Sequence, residues 1–171
     1  MTSSTPRTFS IEYEMDAIQP GSLILGSRVR TGIRILANSR CLTDPHGKFT
    51  VGDFLPYNCT KFLRGIGPLL NGEPHLVRFT DTVCDVEFTP GDAGVVMVNA
   101  YGMDGVPRNP AIEGDGIAVD VDAVVREIVG VGRWVRAEFD NLEATGSNDF
   151  EELVEELVEA ESLLQDADND P

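Results

Sequence analysis

Residues 140–171 constrain the fold most. They hold twelve carboxylates (Asp140, Glu143, Asp149, Glu151, Glu152, Glu155, Glu156, Glu159, Glu161, Asp166, Asp168 and Asp170) and no Lys or Arg. Within them Phe150, Leu153, Val154, Leu157, Val158 and Leu164 recur at helical spacing. The spacing predicts an amphipathic helix that starts at Asn148, with Glu151 at capping-box distance, and runs to about Gln165. Glu/Glu pairs three and four residues apart cost about 0.2–0.5 kcal/mol each. Burying six apolar side chains returns on the order of 10 kcal/mol gross. Such a helix forms only when docked, either on its own core with an acidic face to solvent or on a partner. Asp166–Pro171 is too polar to extend it and is expected to fray.

Elsewhere the balance reverses. Residues 17–80 carry eight Lys or Arg against three acids, although the whole chain of 171 residues has a formal charge of −16. That total repels phosphate, so neither nucleic acid nor an anionic membrane is an expected partner. Salt-adapted surfaces are acidic throughout, whereas this charge is concentrated at one end. No apolar run reaches the ~20 residues of a membrane span, and Met1–Arg7 has no apolar leader-like stretch, so a soluble, cytoplasmic protein is expected.

Two strands open the chain. Phe9, Ile11, Tyr13 and Met15 alternate with polar residues, as do Val29, Thr31, Ile33 and Ile35 with Arg28, Arg30, Gly32 and Arg34. Pro20-Gly21 between them suggests an antiparallel pair whose outer face sets Glu12 and Glu14 near the arginines, a pairing worth roughly 0.2–1 kcal/mol per contact. Asp44-Pro45-His46-Gly47 reads as a turn. Thr50 or Asp53 then caps a helix through Phe54, Leu55, Cys59, Phe62 and Leu63, stopped by Gly65, Gly67 and Pro68. Strands follow at Leu76–Phe79, Val83–Phe88 and Val95–Tyr101, the last two joined at Pro90-Gly91-Asp92, and the unbroken apolar run 95–98 marks a central strand. Residues 102–116 form a long loop. Asp120 or Asp122 caps a short helix closed by Gly130 and Gly132, and Trp134–Phe139 fits a strand or a helix. The expected fold is α+β: a mostly antiparallel sheet of about five to six strands, two to three helices and the acidic C-terminal helix. The expected division is a core at 1–143 and a hinge, helix and tail at 144–171.

Candidate chemistry is sparse. Cys41, Cys59 and Cys84 are too widely spaced for a clip, and an odd number argues against a disulfide scaffold. His46 and His75 complete the only imaginable Cys/His nucleophile or metal set, with no close pair on one element. Gly114-Asp115-Gly116 with Asp120 and Asp122 lacks the oxygen spacing of a calcium loop. Asp81/Asp85 and Glu87/Asp92 are carboxylate pairs of undefined separation, and Gly65-x-Gly67 and Gly130-x-Gly132 lack the context of a nucleotide loop. Asn58-Cys59-Thr60 is a formal glycosylation sequon. No cofactor, metal or catalytic residue is assigned.

The residues left to carry function are Glu151, Glu152, Glu155, Glu156 and Glu159 on one side and Arg28, Arg30 and Arg34 on the other. The first reading is a small acidic non-enzymatic protein-binding module that neutralises a basic partner. The order strand pair, helix, strands, helix is similar to that of some bacterial toxin-immunity proteins, and this likeness of element order implies an immunity or inhibitor role. The second is a subunit of a homo-oligomer or larger assembly, its acidic helix docked on a neighbour's arginine face. The third is an enzyme whose site lacks a familiar motif.

Overall fold

A computed structural model describes residues 7–14 and 29–169. Two four-stranded antiparallel sheets form its frame. In the first, β1 (Phe9–Tyr13) pairs with β2 (Val29–Ala37), which on its other edge receives β3 (Arg40–Cys41) and β4 (Val51–Leu55). The second runs in chain order: β5 (His75–Arg78), β6 (Asp85–Pro90), β7 (Val95–Tyr101), β8 (Ile117–Asp120). The helices are α1 (Tyr57–Leu63), α2 (Ile66–Leu70), α3 (Val121–Asn141) and α4 (Asn148–Asn169). The α+β class holds, with eight strands among the described residues in place of five or six, split between two sheets.

Alternation dictates the first sheet. Phe9, Ile11, Tyr13, Ile33 and Ile35 face inward and are nearly fully buried, and Glu12 stands opposite Arg34 in the register. The β6–β7 hairpin forms across Pro90-Gly91-Asp92, and β7 lies between β6 and β8 as its unbroken apolar run requires. Phe88 of β6 meets Phe9 edge-on at 5.8 Å and Phe62 of α1 at 6.3 Å, so the two sheets and α1 share one core.

Several local expectations are corrected. Val51–Leu55 is a strand: Phe54 and Leu55 repeat at a spacing that also fits a helix, but pairing with β2 claims them, and the helix begins at Tyr57. Gly65 marks a bend after which α2 resumes with Pro68 in its first turn, where a missing N–H costs nothing. There, a Cβ at position 65 would lie 2.3 Å from the His75 ring, so this tight contact calls for glycine. The loop after β7 contains one 3-10 turn (Met103–Gly105) and ends in the unforeseen β8. Gly130 and Gly132 lie inside α3, which runs unbroken through Trp134–Phe139. A Cβ on Gly132 would stand 3.1 Å from Leu157 and 3.2 Å from Leu63, so this glycine lets α1, α3 and α4 converge. Their close approach outweighs the roughly 1 kcal/mol that a helical glycine costs.

Side chains close the sheet edges. The outward N–H of Ile11 on β1 donates to Glu127 of α3 at 3.0 Å, and that of Gly52 on β4 donates to Thr82 Oγ1 at 3.0 Å. The Arg78 carbonyl of β5 accepts from Lys61 Nζ at 2.8 Å, and the Ala118 carbonyl of β8 accepts from Asn38 Nδ2 at 3.1 Å. Unpaired strand edges template the addition of further strands, and each of these bonds takes one outward group of an edge.

Candidate functional site

α4 docks on α1, α2 and α3 of its own chain. Phe150, Leu153, Leu157 and Ala160 are buried, and Phe150 lies against Phe139 of α3 with near-parallel rings 6.1 Å apart. Its start is one residue earlier than the expected cap: Ser147 Oγ accepts the Phe150 N–H at 3.2 Å. Its end is later, because Asp168 pairs with Arg126 and keeps the last turn helical. Val158 leaves the expected apolar stripe and is 57% exposed.

Three arginines fix the acidic face. Arg64, just past α1, reaches Glu152 and Glu156, the latter at 2.8 Å; the Glu156 hydrogen bond foremost raises its pKa above the ordinary arginine value. Arg133 pairs with Glu161 and Arg126 with Asp168. The two arginines are seven residues apart on α3 and the two acids seven apart on α4, so the helices meet antiparallel with one ion pair every two turns, roughly 10 Å. Exposed pairs of this kind add little to stability, and their main effect is to set the sliding register of α4. These cations escaped sequence reasoning because Gly130 and Gly132 read as a helix end. Only an unbroken α3 puts Arg126 and Arg133 on one face.

The outward acids differ. Glu151, Glu155 and Glu159 are exposed, spaced four residues apart, and no cation pairs with them among the described residues. They form a ridge about 12 Å long beside Val158. Of the five predicted glutamates, two are therefore spent on Arg64 and three face solvent.

The arginine face is engaged elsewhere. Arg34 Nε donates to Glu12 at 2.8 Å, its Nη1 donates to the Gly47 carbonyl at 2.7 Å, and its guanidinium sits 4.8 Å from the centre of the Phe49 ring. The Asp44 turn presents that carbonyl: Asp44 Oδ1 accepts the His46 and Lys48 N–H groups at 2.8 and 3.1 Å. Arg30 pairs with Asp81. Arg28, Met15 and the Pro20-Gly21 turn lie outside the described residues. The structure thus brings Arg30 and Arg34 together on one sheet face and places α4 against a different set of cations.

The nucleophile and metal candidates are dispersed. All three cysteines are free and buried, and burial pushes the Cys59 and Cys84 thiols up to about 12. No group of three or more His, Cys, Asp or Glu suited to a metal occurs among the described residues. The sequon residue Asn58 is fully buried, accepting from the Tyr13 hydroxyl at 3.0 Å and donating to Asp53 at 2.9 Å. Asp53, itself inaccessible, also accepts from Lys61 Nζ at 3.0 Å and the Thr80 N–H at 3.1 Å. This network ties β1, β4, α1 and the β5–β6 turn, and every charge in it is answered. A groove of about 500 Å³ runs between β1 and α3, floored by Tyr13, Val131 and Trp134. Among the described residues no helix is long and apolar enough to cross a membrane. Comparison with protein-family profiles, characterised proteins and solved structures finds no match for the chain.

Proposed function

We propose that this chain is a small acidic, non-enzymatic binding module that covers a basic surface on a protein partner, as inhibitor or immunity-type proteins do. The observation that carries the reading is the division of labour on α4. Inner carboxylates hold the helix in register through Arg64, Arg126 and Arg133, while Glu151, Glu155 and Glu159 stand outward with no cation among the described residues. A fixed, unneutralised ridge repels itself when free and gains when a cationic surface covers it. Its field also speeds the encounter in a salt-dependent manner. Val158 supplies an apolar contact at the ridge.

The test is photo-crosslinking, in the cells that make the protein, from a benzoylphenylalanine at position 158, with the same label at Glu113 as control. The expected result is a discrete adduct from position 158 alone, to a protein of isoelectric point above about 9. With that partner in hand, the Glu151→Gln, Glu155→Gln, Glu159→Gln variant should weaken binding roughly tenfold or more and flatten its salt dependence. Equal adducts from both positions, or affinity unchanged in the triple variant, refute the reading.

A further inference from the structure

The groove between β1 and α3 has a volume of about 500 Å³, inside the range of about 300–1,000 Å³ that holds small ligands. One face of α3 builds its wall. Glu127, Gly130, Val131 and Trp134 follow at three- and four-residue spacing, and Ile11 of β1 and Phe49 line the groove with them. Gly130 keeps it open. Gly132, two positions on, is explained by Leu63 and Leu157 packed against it, whereas a Cβ on Gly130 would meet nothing within 4 Å. A glycine inside a helix is intrinsically unfavourable, and the protein's own packing does not use the space this one leaves.

Charge selects the occupant. Glu127 Oε1 accepts the Ile11 N–H at 3.0 Å, yet no cation pairs with this carboxylate among the described residues. Glu12, the other acid of the groove, is already neutralised by Arg34, whose guanidinium lies over Phe49. The groove therefore carries one uncompensated negative charge beside apolar walls, in a molecule whose charge of −16 repels anions. Trp134, half-buried and near-parallel to Tyr13 at 6.1 Å, is the ring type that attracts cations most strongly. Glu127 and Trp134 are seven residues apart on α3, about 10 Å, and that span sets the length of the ligand. We propose that this groove binds a small amphiphilic amine in its protonated form, its ammonium at Glu127 and its apolar body along Gly130 and Val131 toward Trp134.

The groove is separate from the ridge of α4 and does not depend on its role. Trp134 is the chain's single tryptophan, so its fluorescence reports the site directly. Phenethylamine, titrated into the full chain, should change that emission saturably with a dissociation constant of about 0.1–1 mM, an ordinary affinity for a ligand of this size. 2-Phenylethanol, its neutral counterpart, should bind about tenfold more weakly. Glu127→Gln keeps an acceptor for the Ile11 N–H and removes the charge, so the two probes should then bind alike. Gly130→Leu fills the groove with a better helix former, and it should abolish the fluorescence change while the chain unfolds at or above the wild-type temperature. The Glu151→Gln, Glu155→Gln, Glu159→Gln variant should bind phenethylamine as the wild type does. No saturable change up to about 10 mM, equal binding of the two probes by the wild-type chain, or binding that survives Gly130→Leu overturns the inference. So does a loss in the ridge variant as large as that in Glu127→Gln, which marks a general attraction of cations to an acidic molecule.

Discussion

Replacing Lys61 by Met tests the energetics of the core directly. Asp53 is completely inaccessible, and it holds three donors: Lys61 Nζ at 3.0 Å, Asn58 Nδ2 at 2.9 Å and the Thr80 N–H at 3.1 Å. Methionine keeps the stem's apolar contacts but removes the single cation, leaving a buried carboxylate with two neutral donors. Breaking a buried pair from one side costs about 3–5 kcal/mol, mostly for the uncompensated charge. Asp53→Asn is the gentler change. The Lys61 side chain is 14% exposed and also donates to the Arg78 carbonyl and Thr80 Oγ1, so it keeps partners, and the loss should be about 1–2 kcal/mol. Once the carboxylate is gone, the cation is no longer needed for neutrality. The double variant should therefore cost about 2 kcal/mol less than the sum of the singles. Urea unfolding followed by circular dichroism measures all three. A Lys61→Met variant within about 1 kcal/mol of wild type, or strict additivity in the double variant, refutes the reasoning.

Two further predictions concern His75 of β5 and the C-terminal helix. His75 donates through Nε2 to the Lys61 carbonyl at 3.0 Å, and burial holds its pKa below the ordinary 6.5 despite that bond. The unfolded chain therefore takes up a proton first as pH falls below 6.5, so stability is full above that pH and declines beneath it, and His75→Gln should flatten this slope in pH-dependent urea melts. Deleting residues 147–171 takes Phe150 from Phe139 and Leu157 from the junction with Leu63 and Gly132, and the truncated chain should lose its cooperative unfolding transition; retention of a sharp transition would show that α4 is an appendage.

What the sequence revealed depended on the range of the cause. The β1–β2 pair, the β6–β7 hairpin and α4 rest on alternation, a turn tripeptide and a helical stripe, all local signals, and each forms, with the bounds of β6 and α4 shifted by a few residues. Val51–Leu55 failed because Phe54 and Leu55 serve two periods equally, and only the distant partner β2 selects the strand. Gly132 failed because its local cost is repaid by Leu63 and Leu157, residues 69 positions before it and 25 after it. At the site, the glutamates were legible as a charge run. Which of them face outward was not, because that depends on Arg64, Arg126 and Arg133, whose positions follow only from the assembled helices.

The closed sheet edges have a consequence in time. Each of the four bonds that occupy them joins residues far apart in sequence: 17 positions for Lys61 and Arg78, 30 for Gly52 and Thr82, 80 for Asn38 and Ala118, and 116 for Ile11 and Glu127. A nascent chain extends through β1 and β2 long before Glu127 is synthesised, so its first strands exist for a while without their guard. The finished protein has these edge groups taken, and the growing one does not. The hazard of misassembly for this molecule therefore falls during synthesis and refolding, and it ends when α3 settles along β1.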